Sequence, residues 1–155
     1  MADNFKLHPI QLLGIQVKEL FIRVNGLYET QKSDEGRFQI GIGHSDFDIN
    51  DSTIDIGLFV RIGQPEIIEE KDITTKFDLK IHLLAKFTVD QERFPMDKLE
   101  HWAEHNAPLI LYPYIREHVH ALTIRAGIAP ILLPLMEIPT ISVKGNRGEI
   151  GDRGK

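Results

Sequence analysis

The stretch that most restricts what this chain can become is "KFDLKIHLLAKFTV", residues 76–89. Phe77, Leu79, Ile81, Leu83, Ala85, Phe87 and Val89 fall on one side of an extended backbone, while Asp78, Lys80, His82, Lys86 and Thr88 fall on the other. Successive side chains of a strand point to opposite faces, so alternation held over this length marks a strand with one face against a core. A helix would scatter the same residues around its whole circumference.

Three more stretches repeat the pattern. "RFQIGIGHSDF" alternates Phe38, Ile40 and Ile42 with Gln39, Gly41 and Gly43, and "TIDIGLFVRIG" alternates Ile54, Ile56, Leu58, Val60 and Ile62. In "IQLLGIQVKELFIRV", Leu13, Ile15 and Val17 share one parity, but Leu20, Ile22 and Val24 share the other. The change falls near Lys18-Glu19, where a bulge would let one long strand serve two surfaces. Turn-rich connections ("NGLYETQKSDEG", "NDS", "QPEIIEEKD") and short links between the later strands favour an antiparallel sheet with one wet face.

Helical sequence follows the strands. "PMDKLEHWAEHNAP" predicts a short crossover helix, and Asn106 offers a cap for the next one, with Pro108 in its first turn. Pro113 either starts that helix or kinks it. Strands first and helices last predict an α+β domain: a four-stranded antiparallel sheet with one long helix packed on it and a short crossover helix.

On a helical wheel, Pro108–Gly127 carries two apolar stripes. Leu111, Ile115, Val119, Leu122 and Ala126 form one; Ile110, Tyr114, Ala121 and Ile124 form a second, about a third of a turn away. Arg116, His120 and Thr123 make a polar strip. One stripe covers the sheet. The second has nothing to cover in a monomer of 155 residues, and each Leu or Ile left in water forgoes about 1.5–3 kcal/mol. Ile110, Tyr114, Ala121 and Ile124 are therefore expected to meet a partner subunit. The alternative is that another segment of the chain folds back over them. "GIAPILLPLMEIPTISV" is apolar, but prolines at 130, 134 and 139 keep it extended.

Composition narrows the function more by exclusion. The apolar fraction of 42% is that of a globular domain, and a net charge of −5 does not favour nucleic acid as a ligand. There is no cysteine, which removes thiolate chemistry and disulfides and suits the cytoplasm. No apolar run approaches the ~20 residues of a membrane helix, and "MADNFKLHPIQ" lacks the pattern of a signal peptide. The glycine- and charge-rich "KGNRGEIGDRGK" makes residues 142–155 an expected flexible tail after a domain of residues 1–141.

Catalytic patterns are weak. His101 and His105 lie four apart beside Glu100 and Glu104, a spacing that suits a metal, so a small metal-dependent hydrolase is one alternative. Trp102 follows the first His where a zinc protease places Glu, and zinc needs a third ligand; no metal and no cofactor is expected. Ser45 beside His44 is better explained by a turn than by a catalytic dyad. What remains is an excess of apolar side chains without chemistry: Phe38, Ile40 and Ile42 in a glycine-rich strand, Phe94, Met96 and Trp102 in the crossover, and Leu133, Leu135, Met136 and Ile138 in the proline-broken segment. Together they are expected to line a groove for apolar polypeptide. A scaffold subunit that binds one folded partner is a further alternative.

At "NAPLILYPYIREHVHALTIRAGIAPILLPLMEIP" the sequence resembles the SecB family of export chaperones, with the core "ILYPYIRE" followed by a helix ending in "RAG". "IQLLGIQVKELFIRVN" resembles the family's first strand. The resemblance implies a homotetramer, a dimer of dimers with the long helix between subunits, that holds unfolded polypeptides in grooves without ATP. It also implies an acidic docking surface for the SecA motor. Glu19 keeps an acid at one of its positions, but Arg23 and Lys80 stand at two others. No last helix of the family's kind is legible after Pro139. The expectation is therefore a SecB-like holdase, serving general export or a dedicated partner such as an antitoxin.

Overall fold

The structure is a computed structural model and describes residues 4–26, 38–67, 69, 71 and 75–136. Four strands form one sheet: β1 (Ile10–Val24), β2 (Phe38–His44), β3 (Thr53–Ile62) and β4 (Phe77–Val89). Their spatial order is β1-β4-β3-β2, and every pair is antiparallel. That order is a Greek key, with β2-β3-β4 a meander and β1 returning beside β4. After the sheet come a 3-10 turn (Met96–Lys98), α1 (Leu99–His105) and α2 (Ala107–Arg125). The predicted architecture is the one observed.

The seven odd-numbered apolar residues of β4 are all buried, as are Ile54, Ile56, Leu58, Val60 and Ile62 of β3. α2 lies across these two central strands and buries Leu111, Ile115, Val119 and Leu122 against them. Trp102 of α1 meets the edge of the Phe87 ring, with centroids 5.1 Å apart. Pro113 stands inside α2, which bends but continues through it. Asn106 makes no side-chain cap. Its backbone is itself near-helical, so it is a one-residue joint: its N–H ends α1 on the Trp102 carbonyl, and its carbonyl accepts from the Leu109 N–H. Gly127, at φ 74°, closes α2 with paired bonds from Gly127 N to Ile124 O and from Ile128 N to Thr123 O.

β1 departs from the sequence reading in an informative way. Its ladder with β4 shifts twice, between Leu12 and Gly14 and between Val17 and Glu19. Leu13 and Lys18 are the extra residues. Directly opposed residues share a face, and Ile10, Leu12, Ile15, Val17, Leu20, Ile22 and Val24 all oppose odd-numbered residues of β4. The bulge at Lys18 does exist, but it does not divide the strand between two surfaces. The parity change in sequence cancels the parity change of the bulge, and one apolar face results.

Candidate functional site

Within the strands and helices, two apolar surfaces remain uncovered among the described residues. On α2, Ile110, Tyr114 and Ile124 are 40%, 48% and 51% exposed, with Leu109 beside them. They are members of the second stripe, so no described residue covers the stripe. On β1, Val17, Leu20 and Val24 are exposed although they face the helix side, because α2 lies over β3 and β4 rather than over this edge strand. Sequence reading missed the β1 surface: its alternation promised burial, and the position of the strand at an edge is not written in its own residues.

The segment after α2 does fold back, but along a different line. Tyr112 donates its hydroxyl to the Pro134 carbonyl at 2.5 Å, Arg116 donates Nε to the Leu133 carbonyl at 2.9 Å, and Thr123 Oγ1 accepts from the Ile131 N–H at 3.1 Å. The Thr123 hydroxyl itself donates back into the helix, where the Val119 carbonyl lies at 3.0 Å and the His120 carbonyl at 2.9 Å. Residues 128–136 therefore run antiparallel to α2, strapped to it by side chains spaced along one face. Prolines deny this segment a regular ladder, so its carbonyls depend on donors from elsewhere. Tyr112 and, from the strip expected to be merely polar, Arg116 supply them, while Thr123 accepts from the segment's Ile131 N–H. Burial pushes the Tyr112 phenol above its usual range, and the Arg116 charge only partly opposes this.

The predicted groove residues divide. Phe38, Ile40 and Ile42 sit half-buried on the helix side of β2, the second edge strand, next to α1. Met136 and Met96 are likewise half-buried at the border of the core, and Leu135 is 82% exposed. Trp102 and Leu133 are core: one packs on Phe87, and the other is drawn inward by the strap. Phe94 is half-buried near the His8 ring, 6.4 Å between centroids, at the end where the chain enters β1. Ile138 and the expected tail lie outside the described residues.

The expected docking charges are already engaged. Arg23 was expected to face a partner; its guanidinium instead binds Asp78 through Nε (3.1 Å) and Nη2 (2.5 Å). Asp78 is fully buried, contrary to its place on the wet side of the alternation, and also accepts from Asn25 Nδ2, Thr75 Oγ1 and the Gln64 N–H. Burial raises its pKa, but these donors outweigh that and hold the carboxyl below the usual carboxylate range. A buried carboxylate needs such a set, and Arg23 is recruited to complete it. Lys80 bridges Glu19 at 2.9 Å and Glu66 at 3.1 Å; these bonds raise its pKa and lower that of Glu66. His101 and His105 stack with centroids 4.1 Å apart, and His105 Nδ1 lies 2.9 Å from the His101 carbonyl. The rings face one another, and among the described residues no third ligand joins them.

The family model for the preprotein translocase subunit SecB matches residues 6–141. The chain belongs to the SecB family. Its fold is that of the SecB-like chaperone Rv1957 of Mycobacterium tuberculosis, solved in complex with a ChAD peptide from the Rv1956 HigA1 antitoxin. The two superpose with a TM-score of 0.60 over 83% of this chain and 91% of that one, at 19% identity. An uncharacterized protein of Methanocaldococcus jannaschii, MJ0357, is 28% identical over 109 residues, covering 70% of this chain and 67% of the relative. Among the described residues of this SecB-family chain, no helix is long and apolar enough to cross a membrane.

Proposed function

We propose that this protein is a chaperone that holds unfolded polypeptide without nucleotide, as a homotetramer built on the α2 stripe and the β1 edge. The observation that carries this reading is the pair of uncovered apolar surfaces on a chain of the SecB family. A long apolar edge strand and an unpaired helix stripe are surfaces that a soluble protomer conceals by association. Client polypeptide is assigned to the opposite edge, β2. Its outer ladder is open among the described residues, and Phe38, Ile40 and Ile42 offer alternating apolar contacts, the arrangement that accepts an added strand of almost any sequence. No catalytic role is assigned to any residue.

The M. tuberculosis complex makes an antitoxin segment one client class worth testing. SecA is a less favoured partner, because Lys80 occupies Glu19 and Glu66, and Arg23 occupies Asp78, leaving closed ion pairs where a free acidic field would serve docking. The test is suppression of aggregation of a chemically unfolded protein in the absence of nucleotide. Ile40→Ser with Ile42→Ser is expected to lower client affinity while leaving the assembly intact. Full affinity in a correctly assembled double variant would show that β2 is not the client site. A wild-type protein that suppresses nothing would overturn the chaperone reading itself.

A further inference from the structure

A trio of candidate ligands distinct from His101 and His105 lies between β2 and α1. Glu100 and Glu104 lie four apart in α1 and project from one helix face. His44, the last residue of β2, stands opposite them, with Nε2 at 3.9 Å from Glu104 Oε1. One ligating atom from each of the three side chains lies within 4.8 Å of the other two.

The imidazole is also oriented for the task. Its Nδ1 lies 2.9 Å from the Ser45 carbonyl, which can only accept, so Nδ1 carries a proton. In the neutral ring this leaves the Nε2 lone pair free, 3.9 Å from Glu104 Oε1. A backbone carbonyl that fixes the tautomer through the far nitrogen is the usual companion of a metal-binding histidine. Three lone-pair donors with a summed charge of −2 thus converge from two elements distant in sequence. An ion pair of a charged His44 with Glu104 would use one carboxylate at a distance too long for a hydrogen bond, and would leave Glu100 out.

We propose that His44, Glu100 and Glu104 bind a divalent first-row transition ion, with Zn2+ the best match to one imidazole and two carboxylates and with water completing the shell. Bonds of about 2.1 Å place tetrahedral ligands ~3.4 Å apart, so the trio closes by roughly 1.4 Å from its widest separation, within the reach of rotating Glu side chains. The ion fastens α1 to the end of β2. The site stands independently of the client reading, because its ligands and its readout involve no polypeptide.

The experiment is titration of the untagged full chain with Zn2+ by calorimetry near neutral pH, with Co2+ absorption reporting the ligand set. One ion per protomer is expected. His44→Ala and Glu104→Gln should each weaken binding at least about tenfold, and Glu100→Gln should also weaken it. His101→Ala with His105→Ala should leave the affinity unchanged. Zn2+ should raise the thermal midpoint of the wild type but not of His44→Ala. Absence of saturable binding overturns the proposal, and so does binding that survives both His44→Ala and Glu104→Gln. Loss of binding in the His101/His105 double variant would assign the ion to that pair instead.

Discussion

Replacing Asp78 with Asn tests how far one buried carboxylate organises the end of the sheet where β1 leaves and β4 begins. Asp78 accepts from Arg23 Nε and Nη2, Asn25 Nδ2, Thr75 Oγ1 and the Gln64 N–H. The amide keeps the shape but brings donors of its own against this set of donors, and leaves Arg23 without its counter-charge. Breaking a buried ion pair costs about 3–5 kcal/mol. Arg23 keeps 26% of its side chain exposed, so water recovers part of its hydration, and about 3 kcal/mol is the better expectation. For a chain of this size that corresponds to a thermal midpoint lowered by roughly 6–12 °C. The midpoint should be measured by circular dichroism at one fixed protein concentration, because any association shifts it. The pH dependence gives a second reading. The folded pKa of Asp78 lies below its unfolded value, so its contribution is complete above the unfolded value near ~3.9 and disappears as pH falls through the folded value. The gap between wild type and variant should thus be constant at neutral pH and close only in acid. A loss below about 1 kcal/mol, or a gap that does not change on acidification, would refute the account of Asp78 as a charged, donor-saturated centre.

Three further outcomes follow from the geometry. On the proposed tetramer, Ile124→Asp should dissociate the assembly without unfolding the protomer, because Ile124 is half-exposed in the protomer itself; sedimentation at micromolar concentration decides this, and an intact tetramer would refute it. Tyr112→Phe should cost about 1 kcal/mol, and Arg116→Ala should in addition quicken proteolysis within residues 128–136, while equal cleavage rates would show that the strap does not depend on these side chains. Gly41→Ala should destabilise by roughly 1–3 kcal/mol, because a Cβ there would lie 2.0 Å from the Phe59 ring, and most of that loss should vanish in a Phe59→Ala background.

The sheet and helices were legible because strong periodicity reflects burial on one face, as in β4, where every odd-numbered residue from Phe77 to Val89 is covered. The second stripe of α2 was legible for the same reason, since an apolar row without a local partner is a property of the helix alone. Cross-chain electrostatics was not. Asp78 alternates with core residues and looks solvated, and only the arrival of Asn25, Gln64 and Thr75 over it makes it buried. The strap could have been anticipated in part: the donors Tyr112 and Arg116 share one helix face with Thr123, just before a segment whose prolines leave its carbonyls in need of donors. His44 with Glu100 and Glu104 lay beyond reach, since their sequence separation carries no sign of their proximity.

The two bulges of β1 have a meaning for how such a strand can change over time. Fifteen residues span the thirteen of β4, and the surplus is Leu13 and Lys18. Either one can be deleted without turning any neighbour over, since the residues on both sides keep their partners. Deleting Gln16 instead would leave the residues between the two irregularities out of step with Leu83 and Ala85. Length variation among relatives should therefore collect at positions 13 and 18, and a one-residue gap there is a silent edit of the strand, while the same gap two residues away inverts part of its apolar face.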